Sequence, residues 1–269
     1  MDQTVPQMTI VCMIISSIVG FAIPIVLFLY FRFKMKADIF PFFAGCLVML
    51  VFAMILEPGV HQIVLGSSVG GRIQNNVWLY GLYGGLMAGL FEETGRLLAF
   101  KSILRSHSGN DANALMYGAG HGGLESVVIL GVSMISNIAV AFMVNNGTIS
   151  EFTDPLTGDA LARAEAGIAA LTTTGSLAFL LGALERIFAV TLQIALSVLV
   201  WFAVNGSGRM SLYLAAILIH FFIDAAAVIL SGFDIPLLAI EAVIGILTAG
   251  TAVFAKRVWD TEHQKNRTE

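Results

Sequence analysis

Seven long apolar stretches dominate this chain, and they leave it few folds to choose from. They lie near 9–31, 39–57, 78–103, 112–144, 175–204, 210–231 and 236–257. A bilayer core is crossed by about 20 apolar residues in a helix. Inside lipid, only helices and closed barrels satisfy their own backbone hydrogen bonds. Runs of this length point to helices. Charged residues make up 12% of the chain, where a soluble domain carries about 25%. The expected fold is an all-α, polytopic transmembrane bundle of about seven spans, or eight if 160–174 adds a short or re-entrant helix. Gly131 is expected to bend the fourth run. No linker or strong internal repeat is visible, so 1–269 reads as one integral membrane domain with a motif-bearing core at 78–231. Met1–Met8 lacks Lys and Arg, so Thr9–Phe31 reads as a first span rather than a signal peptide.

The cations set the expected orientation. Arg32, Lys34, Lys36, Lys101, Arg105, Arg209, Lys256, Arg257, Lys265 and Arg267 all fall on one side if the seven spans alternate. Only Arg72 and Arg163 fall on the other; Arg96 and Arg186 lie inside spans. Lys and Arg concentrate in cytoplasmic loops, so the N-terminus is expected outside and the C-terminus in the cytoplasm. The net charge of -4 argues against a nucleic-acid partner, which needs a basic face. Cys12 and Cys46 sit in apolar segments and form no metal-binding or disulfide pattern.

Four groups of ionisable residues interrupt the spans, at about 2.5–3.5 kcal/mol for each central charge. In span three, Phe91-Glu92-Glu93-Thr94-Gly95-Arg96 puts Glu92 and Arg96 four residues apart on one face. Gly81, Gly85 and Gly89 lead to Glu93 in steps of four, and Gly84 and Ala88 lead to Glu92. Such stripes let helices approach closely, so both glutamates are expected to face other helices. In span four, His121 and Glu125 share a face, and Gly118, Ala119, Gly120, Gly122 and Gly123 surround the histidine. Span five carries Glu185-Arg186, an adjacent acid and base, and span six carries His220 and Asp224 at helical spacing. At about 1.5 Å per residue, Glu92, His121 and His220 reach the cytoplasmic half of the bilayer and Glu185 lies nearer its midplane.

Histidines and glutamates in a dry cavity suit water activation. A desolvated carboxylate serves as a general base, and a histidine donates to a developing oxyanion. Alternatively His121, His220 and Glu92 hold a metal such as zinc and acidify its bound water, with Glu125 or Asp224 orienting the rings. No HExxH is present. Each group also has a purely structural reading, as an ion pair or a packing histidine, and Glu185-Arg186 divides evenly between self-neutralisation and support. The glycine stripes read as helix packing. His61 and His107 read as solvated residues in or near loops, and Glu57 and Glu241 as span-end residues reaching the interface.

Glu-Glu-x-x-Arg, aromatic-xxx-His and His-xxx-Asp on successive helices resemble the CAAX-protease and bacteriocin-processing superfamily of intramembrane endopeptidases. Gly-His-Gly-Gly-Leu-Glu and Glu-Arg-Ile-Phe-Ala resemble its YhfC branch of intramembrane metalloproteases. The resemblance covers about 78–231. It implies that Glu92 is the general base with Glu93 in support, and that Arg96 orients both. It implies that His121 stabilises the oxyanion or binds metal, that His220 binds water or metal, and that Asp224 steadies His220. Tyr117 stands where Phe is common. The substrate would be a membrane-associated peptide or protein, the surroundings membrane lipid, and the location a bacterial plasma membrane. The cavity is expected to open towards the cytoplasm. The main rival is a proton- or ion-coupled transporter using the same groups as a relay. Carriers often show inverted repeats, and no second Glu-Glu-x-x-Arg is present.

Overall fold

A computed structural model describes residues 4–206 and 209–265. Met1–Gln3 and Arg267 therefore lie outside the described residues. Every regular element among those described is helical: α1 (Gln7–Phe33), α2 (Phe40–Val48), a π-helical stretch (Met49–Leu56), α3 (Glu57–Leu65), α4 (Gly70–Gln74), α5 (Val77–Lys101), a 3-10 turn (Arg105–His107), α6 (Ala112–Ser126), a second π-helical stretch (Val127–Val132), α7 (Ser133–Asn146), α8 (Ser150–Thr153), α9 (Gly158–Thr173), α10 (Ser176–Asn205), α11 (Met210–Ser231) and α12 (Leu237–Lys265).

Six continuous stretches among the described residues are long and apolar enough to cross a bilayer: Gln7–Phe33, Phe40–Leu65, Ala112–Asn146, Ser176–Asn205, Met210–Ser231 and Leu237–His263. They match six of the seven apolar runs. The remaining run is α5, which has the length, with 25 residues. It is not apolar enough by composition, because it carries Glu92, Glu93, Arg96 and Lys101 among its glycines. The second stretch outlasts its apolar run by about two turns. Helix continues through Met49–Leu56 and into α3, with Pro58 at the junction. Gly131 falls within the second π-helical stretch.

The chain divides into two compact units, Met1–Ala22 with Ser126–Arg186, and Ile23–Glu125 with Ile187–Glu269. In the first, Val5, Ile10, Met13, Ala141 and Leu171 form a small core. Gly20 and Gly131 meet so closely that a Cβ on Gly20 would stand 2.6 Å from the Gly131 nitrogen. The region 160–174 is the helix α9 here, and Gly147 ends α7 at φ 73°, a left-handed cap suited to glycine.

The second unit is built around the later part of α10, where Leu192, Ala195, Leu196 and Val198–Ala203 are buried. Asn76 starts α5 by accepting bonds from the Trp78 and Leu79 amides, which satisfies donors that a helix start leaves open. The Gly81-Gly85-Gly89 stripe lies against α11. A Cβ on Gly85 would sit 2.4 Å from the Phe221 carbonyl oxygen, and one on Gly89 would sit 2.8 Å from that of Ile217. α6 is gripped from several sides: Gly118 and Gly122 meet α10, Gly120 meets Phe42 of α2, and Gly45 of α2 meets Tyr117 and His121. The polarity runs inside out for a soluble protein. Phe33 is 75% exposed and Ile246 72%, while Glu93, Arg96 and His121 are wholly buried. Lipid is the solvent that such a surface fits.

Candidate active site

Close helix approach brings the charged groups of the second unit together. α5 supplies Glu92, Glu93 and Arg96, α6 supplies His121, α10 supplies Gln193, and α11 supplies His220 and Asp224. Glu92 Oε2 accepts two hydrogen bonds, one from His121 Nε2 at 2.8 Å and one from Gln193 Nε2 at 2.8 Å. Glu92 Oε1 takes part in neither bond. A ring nitrogen facing a carboxylate carries the proton, which leaves His121 Nδ1 as the bare nitrogen. His220, Arg96 and Glu57 also lie within electrostatic range of Glu92.

Glu93 sits one helical step round α5 and faces different partners. Its Oε1 meets the Arg96 guanidinium and His220 Nδ1, the latter at 2.8 Å. The other ring nitrogen of His220 faces Asp224 Oδ2 at 3.5 Å. The imidazole is thus held between two carboxylates, one buried and one partly exposed. Arg96 does not grip Glu92, although the four-residue spacing suggests it. It pairs with Glu93, three residues back, and its second arm donates to Gln193 Oε1. Gln193 donates in turn to Glu92, so the guanidinium orients Glu92 only through that amide. The reason is geometric: Arg96 and Glu93 share the face buried between helices, while Glu92 turns towards α6.

Tyr117 is fully buried, with its ring stacked on His121 at 6.0 Å and set edge-on to Phe100 at 4.7 Å. Phe100 meets Trp201 edge-on at 5.2 Å. Glu93 Oε2, Arg96 Nε, Tyr117 Oη and His121 Nδ1 are buried without a hydrogen-bond partner. One orphaned polar group is costly, and four around one centre mark a place for a polar ligand or water. Glu125 does not orient His121, since the only bonded nitrogen of that ring faces Glu92. Glu185 and Arg186 belong to the other unit, where Arg186 Nε donates to Glu185 Oε2 at 2.9 Å.

Four residues differ from their sequence reading. Glu57 is buried, not at a span end, and its Oε1 accepts from His61 Nε2 at 3.2 Å. His61 is not a loop residue, and its Nδ1 meets Tyr83 Oη at 2.8 Å. The π-helical stretch just before Glu57 resets the helical phase and turns that carboxylate inward. Glu241 is buried too, and His107 stacks on Phe40 at 5.4 Å. Gln193 carried no signal in the sequence beyond being an amide in an otherwise apolar stretch.

Zinc takes three or four ligands around one point. Here each histidine is turned onto a carboxylate, and each of those carboxylates is engaged by Arg96, Gln193 or a ring nitrogen. Among the described residues, no three His, Cys, Asp or Glu side chains are disposed to hold one ion. In this arrangement the residues do not fit a bound metal.

Comparison with known proteins places this geometry in context. A family model described as "YhfC intramembrane metalloprotease" matches residues 19–245. A protein of Bacillus subtilis (strain 168), described as "Uncharacterized membrane protein YhfC", is 38% identical over 261 residues, which covers 95% of this chain and 99% of that one. No solved structure matches the chain.

Proposed function

The chain belongs to the YhfC family, and from that membership and its buried centre we propose an intramembrane endopeptidase that hydrolyses a peptide bond in or next to the bilayer. One observation carries the reading. Glu92 is fixed through a single oxygen by His121 and Gln193, its other oxygen stays out of those bonds, and unpartnered buried polar atoms surround it. That is how a general base for water is held.

Glu92 Oε1 takes the proton of a water as its oxygen bonds to the substrate carbonyl carbon, and returns that proton to the leaving amine nitrogen as the C–N bond breaks. His121 and Gln193 keep the carboxylate in place. His220 Nε2, whose contact with Asp224 is the looser of its two at 3.5 Å, exchanges that carboxylate for the oxygen that becomes negative, while Glu93 keeps hold of Nδ1. Arg96 neutralises Glu93 and, through Gln193, couples the two carboxylates. The substrate helix must unwind locally, because an intact helix shields its carbonyls. The family description implies a metal. Zinc would need His121 and His220 to turn from their carboxylates, and the steps above are assigned to side chains alone. Seven spans, with α5 as the seventh, an outer N-terminus and a cytoplasmic C-terminus in a bacterial plasma membrane complete the proposal.

The test is full-length protein in vesicles, with new peptide N-termini in the membrane proteome compared between wild type and Glu92→Gln. Cleavage should fall about 10²–10⁴-fold, the usual loss on removing a general base, with an unchanged melting profile. A wild type that cuts nothing but drives a solute or ion flux lost in Glu92→Gln would establish the carrier instead.

A further inference from the structure

Beyond the residues already assigned, one polar group in the second unit has no role. Glu57, His61 and Tyr83 form a hydrogen-bonded chain from α3 to α5. Glu57 shares electrostatic range with Glu92, His220 and Asp224, and Tyr83 stands on the same helix as Glu92. Polar chains inside a span are costly, and this one ties α3 to α5.

Exposure around the centre is one-sided. Glu93, Arg96 and His121 are closed off, and the Glu92 and His220 side chains nearly so. Exposure rises to 11% at Glu57, 29% at His61 and 38% at Asp224. In the opposite direction along α5, Phe100, Leu104, Tyr117 and Trp201 are all fully buried and pack ring on ring. Phe100 lies about 12 Å beyond Glu92 along the helix, and Tyr83 about 14 Å before it, at 1.5 Å per residue. His61 is one turn from the end of α3, where exposed Gly66, Ser67 and Ser68 follow. One end of the centre is an aromatic plug and the other is a partly exposed polar ladder.

We propose that Glu57, His61 and Tyr83 line the route by which water and the scissile segment enter, from the end of the unit where α5 begins. If the Lys101 end of α5 is cytoplasmic, this mouth faces the outer side, opposite to the opening expected from the sequence. The three act as positioning residues. The part about substrate rests on the hydrolase reading; the water route does not.

The experiment separates the two. In full-length protein with Cys12 and Cys46 replaced by Ala, Asp224→Cys is treated with a small water-soluble thiosulfonate. Modification is expected, and His61→Trp should slow it by an order of magnitude or more while the melting profile is unchanged. An unchanged rate would overturn the route. The His61→Cys variant should react with a charged, membrane-impermeant maleimide; reaction only with a lipid-soluble one would also overturn the route. Among active variants, Tyr83→Phe and His61→Ala should raise KM several-fold with little change in kcat, and His61→Gln should recover part of it. If Glu92→Gln leaves cleavage intact, the hydrolase assignment fails while the labelling results still decide the route.

Discussion

Gln193 is the residue on which the centre balances. Its amide accepts from Arg96 and donates to Glu92, so one neutral side chain couples two charged ones. Replacing it with Leu leaves a buried guanidinium arm and a carboxylate oxygen short of partners. The expected loss is about 1–3 kcal/mol of stability, read from thermal melting, together with a deep fall in cleavage. Gln193→Glu should be worse than Gln193→Leu, because it places a third carboxylate beside Glu92 and Glu93. Arg96→Lys should not rescue: an ammonium lacks the fork that reaches Glu93 and Gln193 together.

At the scale of elements, α5 and α11 are joined by close backbone approach. A methyl at Gly85 would sit 2.4 Å from a backbone oxygen that cannot move aside, whereas at Gly84 it would meet nothing within 4 Å. Gly85→Ala is therefore expected to lower the melting temperature sharply and abolish activity, since it parts Glu93 from His220. Gly84→Ala should be neutral or stabilise by up to about 1 kcal/mol, from helix propensity alone. The same four-residue spacing in the sequence does not tell these two glycines apart; the neighbouring helix does. At the head of α5, Asn76→Ala should cost about 1 kcal/mol through loss of the cap, without touching the chemistry.

For the molecule as a whole, the cation asymmetry predicts that a C-terminal reporter reads as cytoplasmic and that a tag in the connection between α8 and α9 is reached from outside. A reversed pattern would refute the orientation and move the proposed mouth to the other membrane face. The turned histidines make a second whole-protein prediction. Cleavage should persist in chelator, and purified protein should carry no stoichiometric zinc by emission spectrometry. Activity lost in chelator and restored by zinc would show that the rings leave their carboxylates to hold an ion.

Hydrophobic length and charge counting belong to the chain itself, because a bilayer responds to composition averaged over a span. That is why the helical class, six of the seven expected apolar stretches and the buried status of Glu92, Glu93, Arg96, His121 and His220 could be read without coordinates. Partnership is a different matter. Which carboxylate Arg96 holds, the bridging of Gln193, the inward turn of Glu57 after a π-helical stretch and the bond from His61 to Tyr83 depend on helix rotation and on distances of a few ångströms between segments remote in sequence. Those are settled only when the helices pack, since a hydrogen bond is lost within about an ångström of misplacement.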